Sequence, residues 1–183
     1  MRQFNQQVQE WISLPRDRLD QLPHPPASPL NSVGSNLAIC MWDGAMRNGS
    51  HEVDGMVILN SDKAAILAKG IQFLVLDDPM IIEILVLREA IACCLECEFT
   101  AMRFEGDAQV IIEKILRNDV RDNRVGAILE EIVNSFAVNM GFNVRFVGRR
   151  NNRVAHLVAR KALSLFPTTC RSFDFQAWLN SRM

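Results

Sequence analysis

Apolar and polar positions divide the chain into a proline-rich beginning and a longer region of short, regularly patterned elements. Five of the seven prolines fall within residues 15–29. Their fixed φ angles and missing N–H donors disfavour helices and sheet ladders. We therefore interpret residues 1–36 as a leader or linker, residues 37–166 as one domain and residues 167–183 as a C-terminal tail.

Within the domain, the pattern predicts five strands and four helices. Three apolar runs separated by turn residues predict an antiparallel meander, the first turn being Asp43-Gly44. Pro79 suits the first turn of a helix, and the Ile-, Leu- and Ala-rich run after it predicts a core helix. The order β-β-β-α-β-α-α-β-α is typical of an α/β sandwich with a mixed five-stranded sheet. The predicted strands are residues 37–42, 53–59, 64–74, 101–107 and 142–147, and the predicted helices are residues 80–98, 108–117, 124–140 and 152–165.

Composition and charge are those of an ordinary globular protein. The 183 residues are 49% hydrophobic and 22% charged, which excludes a wholly disordered, collagen-like or coiled-coil chain. The net charge of −1 means that an anionic partner needs a local basic patch. Arg88 and Glu89 interrupt the most apolar segment, and no secretory signal or disulfide pattern is present. We expect an intracellular protein, nuclear or cytoplasmic, that is neither secreted nor bound to a membrane.

Three carboxylates stand at notable places in the predicted elements. Asp43 ends the first strand, Glu83 lies in the first turns of the core helix and Asp107 closes the fourth strand. Each also has a structural interpretation: a turn for Asp43, an exposed helix edge for Glu83 and a helix N-cap for Asp107. The structural interpretation is weakest for Glu83, because its neighbours are apolar and an unpaired buried charge costs several kcal/mol.

These carboxylates lie within segments that resemble the ribonuclease H type 1 domain. The resemblance is strongest to the plant branch that is similar to the ribonuclease H segments of retrotransposon reverse transcriptases. It implies a ribonuclease H-like fold and an endonuclease that cleaves the RNA strand of RNA–DNA hybrids by two-metal hydrolysis. The alternative is a retroelement-derived module, catalytically weak or inactive, that binds nucleic acid or protein. The matching segments are Trp42-Asp43-Gly44-Ala45, residues 83–90, Glu105-Gly106-Asp107-Ala108-Gln109 and residues 149–160.

The resemblance assigns catalytic roles to four residues. Asp43, Glu83 and Asp107 would be the metal ligands, with Asp43 bridging two cations, and His156 stands where the family has a fourth carboxylate. Two cations about 3.5–4 Å apart need clustered oxygen ligands, which Mg²⁺ prefers. A neutral imidazole attracts Mg²⁺ less than a carboxylate does and suits Mn²⁺ better. We therefore expect Mg²⁺ or Mn²⁺ as the cofactor, although His156 could instead be a structural imidazole.

A basic segment follows the last predicted strand. Residues 145–161 carry six Lys and Arg residues and no acidic residue, which favours contact with phosphates. We predict nucleic-acid contacts by Arg149, Arg150 and Arg153, and by Asn152 to the 2′-hydroxyls of RNA; a solvated helix face and an N-cap are the alternatives. The expected partner is an RNA–DNA hybrid or another nucleic acid, bound by a monomer.

Two cysteines, Cys94 and Cys97, have the CxxC spacing of some redox and zinc sites. They lie within a predicted helix, with no second pair and no neighbouring His. The pattern therefore favours packed thiols over metal binding or redox chemistry.

Overall fold

The computed structural model describes residues 38–47, 51–73, 78–122, 124–164 and 172–182. The predicted leader, residues 1–36, lies outside these residues, as do residues 167–171 of the predicted tail. The described strands are β1 Ala38–Arg47, β2 His51–Leu59, β3 Ala65–Phe73, β4 Met102–Gly106, β5 Phe142–Phe146 and β6 Ser172–Asp174. The described helices are α1 Pro79–Glu96, α2 Gln109–Leu116, α3 Gly126–Val138, α4 Arg153–Ser164 and α5 Gln176–Asn180.

The strands form one mixed sheet in the order β5-β4-β1-β2-β3-β6. Strands β1, β2 and β3 pair antiparallel, whereas β4 runs parallel to β1 and β5 runs parallel to β4. The mixed sheet of five predicted strands with flanking helices is therefore confirmed. A sixth strand, β6, adds antiparallel to the free edge of β3. Part of the predicted C-terminal tail thus belongs to the folded domain, which continues past residue 166.

Strand β1 is longer than its sequence suggests. Asp43 pairs with Gly55 in the middle of the β1–β2 ladder, which continues to the end of β1, so the turn interpretation of Asp43-Gly44 is wrong. The parallel pairing of β1 with β4 ends at Met41 and Glu105. Two residues further along each chain stand Asp43 and Asp107. Because both aspartates stand two residues past the last residue pair of these neighbouring parallel strands, they lie at the same end of this pairing.

Helices cover both faces of the sheet. Met41 and Val57 pack with α4 and α5 in one core cluster, while the alternate residues Cys40 and Met56 are also fully or almost fully buried. Since successive strand residues point to opposite faces, both faces are shielded from water. Helix α1 is buried along most of its length, as its apolar sequence predicts. None of the described helices combines the length and apolarity needed to cross a membrane.

Helix α4 lies unusually close to β2 at Gly55. A Cβ atom on this glycine would stand 2.2 Å from the backbone nitrogen of Ala159 in α4, a distance that no packing tolerates. Gly55 is also the strand partner of Asp43. Because Gly55 has no side chain, α4 can pack directly against β2, beside the strand that carries Asp43.

Candidate metal centre

The three predicted ligands converge although they lie on separate elements. Asp43 is in β1, Glu83 is in the second turn of α1 and Asp107 follows β4. One carboxylate oxygen from each lies within 4.8 Å of the other two. The convergence predicted from the sequence is therefore confirmed. Among the described residues, no other group of three Asp, Glu, His or Cys side chains is clustered in this way.

Glu83 is the least satisfied member of the cluster. Its Oε1 accepts a hydrogen bond of 3.3 Å from the backbone N–H of Gly44. Its Oε2 is buried and has no hydrogen-bond partner in the described part of the chain. Burial, together with the negative charges of Asp43 and Asp107, raises the pKa of Glu83 to about 8.

Burial also raises the pKa of Asp43, and the charge of Asp107 acts in the same direction. The hydrogen bond from His156 opposes this rise without cancelling it. Without a cation, the cluster therefore favours protonation of Glu83, as expected when like charges are forced together. Three clustered hard oxygen donors fit the preferences of a divalent cation such as Mg²⁺ or Mn²⁺, and so does the Glu83 Oε2, which is buried without a partner among the described residues.

The side chain of His156 extends from α4 to the carboxylate cluster. Its Nδ1 lies 2.7 Å from Oδ2 of Asp43, and its side chain is 30% exposed, compared with 5% for Asp43. The imidazole therefore contacts a predicted metal ligand directly and faces the solvent side of the cluster.

Asn152 lies in the interior, not on the surface where the sequence suggested a contact with RNA. It is 1% exposed, and its Nδ2 donates to the backbone carbonyl of Trp42 at 2.8 Å and to Oδ1 of Asp107 at 3.0 Å. This amide ties the carboxylate of Asp107 to the backbone of β1. The expected 2′-hydroxyl contact is therefore corrected: the side chain positions a ligand. No sequence signal indicated the bridge, because it joins residues 110 positions apart.

The N-cap interpretation of Asp107 is also wrong. Helix α2 has Ala108 at its N-cap and no side-chain cap hydrogen bond. The carboxylate of Asp107 is turned instead toward Asn152. This placement leaves Asp107 available to the cluster.

The residues that precede the two aspartates pack against each other. A Cβ atom on Gly106 would lie 2.4 Å from the indole ring of Trp42, so only glycine leaves room for the ring. Trp42 itself is fully buried. Because Trp42 precedes Asp43 and Gly106 precedes Asp107, this contact holds together the backbone on which both ligands stand.

The predicted basic contacts lie on the surface. Arg149, Arg150 and Arg153 are exposed, in the turn before α4 and at its first residue. The charge of Arg149 opposes the rise in the pKa values of Asp43 and Glu83, so this arginine acts on the carboxylates electrostatically. None of the acidic residues that the structure describes forms an ion pair with any of the three arginines.

Comparison with known proteins gives a family and a fold. The family model described as "Reverse transcriptase-like" matches residues 42–162. A search of curated protein sequences gave no significant match.

Solved ribonuclease H structures are similar to this chain. RNase H1 from the halophilic archaeon Halobacterium salinarum NRC-1 is 20% identical, with a TM-score of 0.59 over 69% of this chain and 97% of that chain. The N-terminal RNase H domain of Rv2228c from Mycobacterium tuberculosis is 15% identical, with a TM-score of 0.61 over 71% and 95%. LC11-RNase H1, isolated from compost by a metagenomic approach and solved in complex with an RNA/DNA hybrid, is 13% identical, with a TM-score of 0.61 over 69% and 96%.

These similarities show the ribonuclease H-like fold, while the plant and retrotransposon part of the resemblance stays a prediction. The family model covers more than half of the chain, including Asp43, Glu83, Asp107 and His156. The protein therefore belongs to the reverse transcriptase-like family and has the ribonuclease H-like fold.

Proposed function

We propose that this protein is a metal-dependent endonuclease that cleaves the RNA strand of RNA–DNA hybrids. The observation that carries the proposal is the convergence of Asp43, Glu83 and Asp107, together with a buried Glu83 oxygen that has no hydrogen-bond partner among the described residues. Like charges are brought together in a fold when cations or protons compensate them. The family and the fold supply the reaction class, and the hybrid seen with LC11-RNase H1 supplies the substrate class.

Each carboxylate has a defined role in this proposal. Asp43, Glu83 and Asp107 would hold the divalent cations, which would supply an activated water molecule and stabilisation of the leaving 3′-oxygen of the scissile phosphate. The Gly44 N–H orients Glu83, and the amide of Asn152 orients Asp107. These two contacts hold the ligands in place before a cation arrives, which lowers the cost of assembling the site.

His156 gives the site different affinities for Mg²⁺ and Mn²⁺. As a nitrogen donor beside Asp43, it contributes no negative charge to the second cation position. Mg²⁺ would then bind weakly there, and Mn²⁺, which accepts imidazole more readily, would support faster cleavage.

The exposed arginines bind the substrate backbone. Arg149 acts electrostatically on the acidic cluster, and Arg150 and Arg153 are exposed near it in the chain, so we expect the three to hold phosphates of the hybrid while one phosphodiester reaches the carboxylates. This local arrangement makes the overall charge of −1 compatible with a nucleic-acid partner.

The experiment that tests the reaction class compares four substrates. The purified protein is incubated with an RNA–DNA hybrid, an RNA duplex, a DNA duplex and single-stranded RNA, in Mg²⁺, in Mn²⁺ and in EDTA. The proposal expects cleavage of the RNA strand of the hybrid with either metal, faster with Mn²⁺ and absent with EDTA. Equal cleavage of all four substrates would contradict hybrid specificity.

A second candidate function is a binding module that does not cut. The observation that favours it is His156, since the imidazole brings no fourth charge to the cluster. Tight binding of the hybrid without cleavage in either metal would support this candidate.

A further inference from the structure

The folded C-terminal segment carries a tryptophan that contacts two cations. Nζ of Lys161 in α4 lies 5.8 Å from the centre of the Trp178 ring, and the guanidinium carbon of Arg182 lies 5.2 Å from it. Such contacts are attractive because the face of an aromatic ring carries partial negative charge. Trp178 itself packs against the core cluster that includes residues of α4 and α5, so its ring is held in place. We call Lys161, Trp178 and Arg182 the Trp178 patch.

The positive charges of the Trp178 patch have no acidic partner in the part of the chain that the structure describes. Neither Lys161 nor Arg182 forms an ion pair there, and the same holds for Arg160, which is exposed and precedes Lys161. The distances to the ring limit the separation of the two charges to no more than about 11 Å. Positive charges gathered in this way without a carboxylate create a local potential that attracts anions.

One side of α4 leads from the metal centre to the Trp178 patch. Arg153, His156, Arg160 and Lys161 follow helical spacing and therefore share this side. The opposite side packs against the sheet through the buried residues Ala155, Val158, Ala159 and Ala162. His156 reaches Asp43 of the carboxylate cluster, and Lys161 reaches Trp178. Eight residues at about 1.5 Å each place Lys161 about 12 Å further along the helix than Arg153.

We propose that the Trp178 patch and Arg160 bind backbone phosphates of the RNA–DNA hybrid at a second site outside the metal centre, a proposal that rests on the proposed function for its choice of substrate. Each strand of a duplex presents one phosphate per about 3.4 Å. A strand that follows α4 therefore presents about four phosphates between Arg153 and Lys161. The hybrid can thus contact the carboxylate cluster and the Trp178 patch at the same time.

The Trp178 patch contributes affinity and orientation. Phosphate contacts carry no base information, so the patch adds no sequence preference. Trp178 acts as a positioning residue, because its ring keeps Lys161 and Arg182 side by side. A row of cations along one side of a helix matches the regular charge spacing of a polynucleotide, whereas a small anion would need only the pair of cations on the ring.

The test measures binding of the full chain to a 20-base-pair hybrid in EDTA, at several salt concentrations. Lys161→Gln combined with Arg182→Gln should raise the Kd about tenfold at 0.1 M salt and should reduce the slope of log Kd against log salt concentration by about two. Arg117→Gln combined with Arg121→Gln is the matched control, since it removes the same charge from exposed side chains at the end of α2 and after it. An equal rise in Kd for both double variants, or an unchanged Kd for the Lys161 and Arg182 variant, would overturn the proposal.

Two substitutions of Trp178 test its positioning role. Trp178→Phe retains an aromatic face and should bind the hybrid as the parent does, whereas Trp178→Leu should raise the Kd about threefold and reduce the same salt slope. An unchanged Kd and slope in Trp178→Leu would refute that role.

Cleavage at saturating hybrid in Mn²⁺ separates this proposal from the proposed function. The rate of the Lys161 and Arg182 double variant should equal that of the parent, because the carboxylates are unchanged. A parent that binds hybrid through the patch without cutting would contradict the proposed function alone. A parent that cuts hybrid, with an unchanged Kd and salt slope in the double variant, would overturn the second phosphate site alone.

Discussion

The Nδ1 atom of His156 lies 2.7 Å from Oδ2 of Asp43, within the carboxylate cluster. The contact joins the last long helix to the central strand of the sheet. The hydrogen bond favours the ionised form of Asp43, whose pKa burial otherwise raises. His156 therefore affects the charge of Asp43, a predicted metal ligand, and also occupies the position next to it.

Restoring a carboxylate at this position should strengthen magnesium binding. We expect His156→Asp to raise the rate of Mg²⁺-dependent hybrid cleavage about tenfold, because a fourth negatively charged oxygen attracts Mg²⁺, the harder of the two cations. The ratio of the cleavage rate in Mn²⁺ to the rate in Mg²⁺ should therefore decrease. Initial rates in each metal measure the effect, with His156→Asn as the uncharged control. A lower rate in both metals for both variants would show instead that the imidazole transfers a proton during the reaction.

Glu83 should make the metal-free protein less stable as pH rises. Its pKa of about 8 in the folded protein exceeds the ordinary value of 4.5, so the folded state retains a proton that the unfolded state loses between these values. The free energy of unfolding therefore falls as pH increases from about 4.5 to about 8. Glu83→Gln should lose less stability over this range, as measured by urea unfolding in EDTA. Identical pH dependence in both proteins would contradict the assigned pKa.

Asn152 should matter for catalysis more than for substrate binding. Asn152→Ala removes both hydrogen bonds of the buried amide and should cost about 1–3 kcal/mol of stability. Because Asp107 loses its support, the cleavage rate should fall while the Kd for the hybrid changes little. Asn151→Ala, at the exposed neighbouring position, should leave stability and rate unchanged. A large loss of hybrid affinity in Asn152→Ala would favour the surface contact suggested by the sequence.

Gly55 should be sensitive to the addition of a single methyl group. The Cβ of Gly55→Ala would meet the backbone of α4, and relieving that contact displaces the helix that carries His156. We expect a loss of about 1–3 kcal/mol of stability and a lower cleavage rate. Gly148→Ala is the matched control, because nothing lies within 4 Å of its added Cβ. Equal thermal stability of the Gly55→Ala and Gly148→Ala variants would show that α4 packs less tightly against β2 than the structure indicates.

The elements with strong local signals could be predicted from the sequence. Helix α1 follows from its apolar run and from Pro79, and the structure adds a cap that was not predicted: the side chain of Asp78 accepts a hydrogen bond from the N–H of Met80. The ends of β1 could not be predicted, because Asp43-Gly44 has the composition of a turn and only the pairing with β2 extends the strand. Strand β6 has three residues, and its formation depends on the open edge of β3.

The predicted metal ligands of the candidate site could be identified from the sequence, but the residues that position them could not. The convergence of Asp43, Glu83 and Asp107 was expected from their order along the predicted elements together with the resemblance to the ribonuclease H type 1 domain. The bridge from Asn152 and the contact between Trp42 and Gly106 depend on the packing of residues far apart in the chain. Such contacts leave no periodic pattern in a single sequence.

The central claim is that the carboxylate cluster holds the cations that cut RNA. Its most direct test is the single-turnover cleavage rate of a hybrid with labelled RNA, measured in Mn²⁺ for the parent protein, Asp43→Asn and the exposed-turn control Asp62→Asn. The account predicts cleavage by the parent and by Asp62→Asn, and a loss of at least about 100-fold in Asp43→Asn without loss of hybrid binding. Equal rates in all three proteins, or no cleavage by the parent while it binds the hybrid, would contradict it.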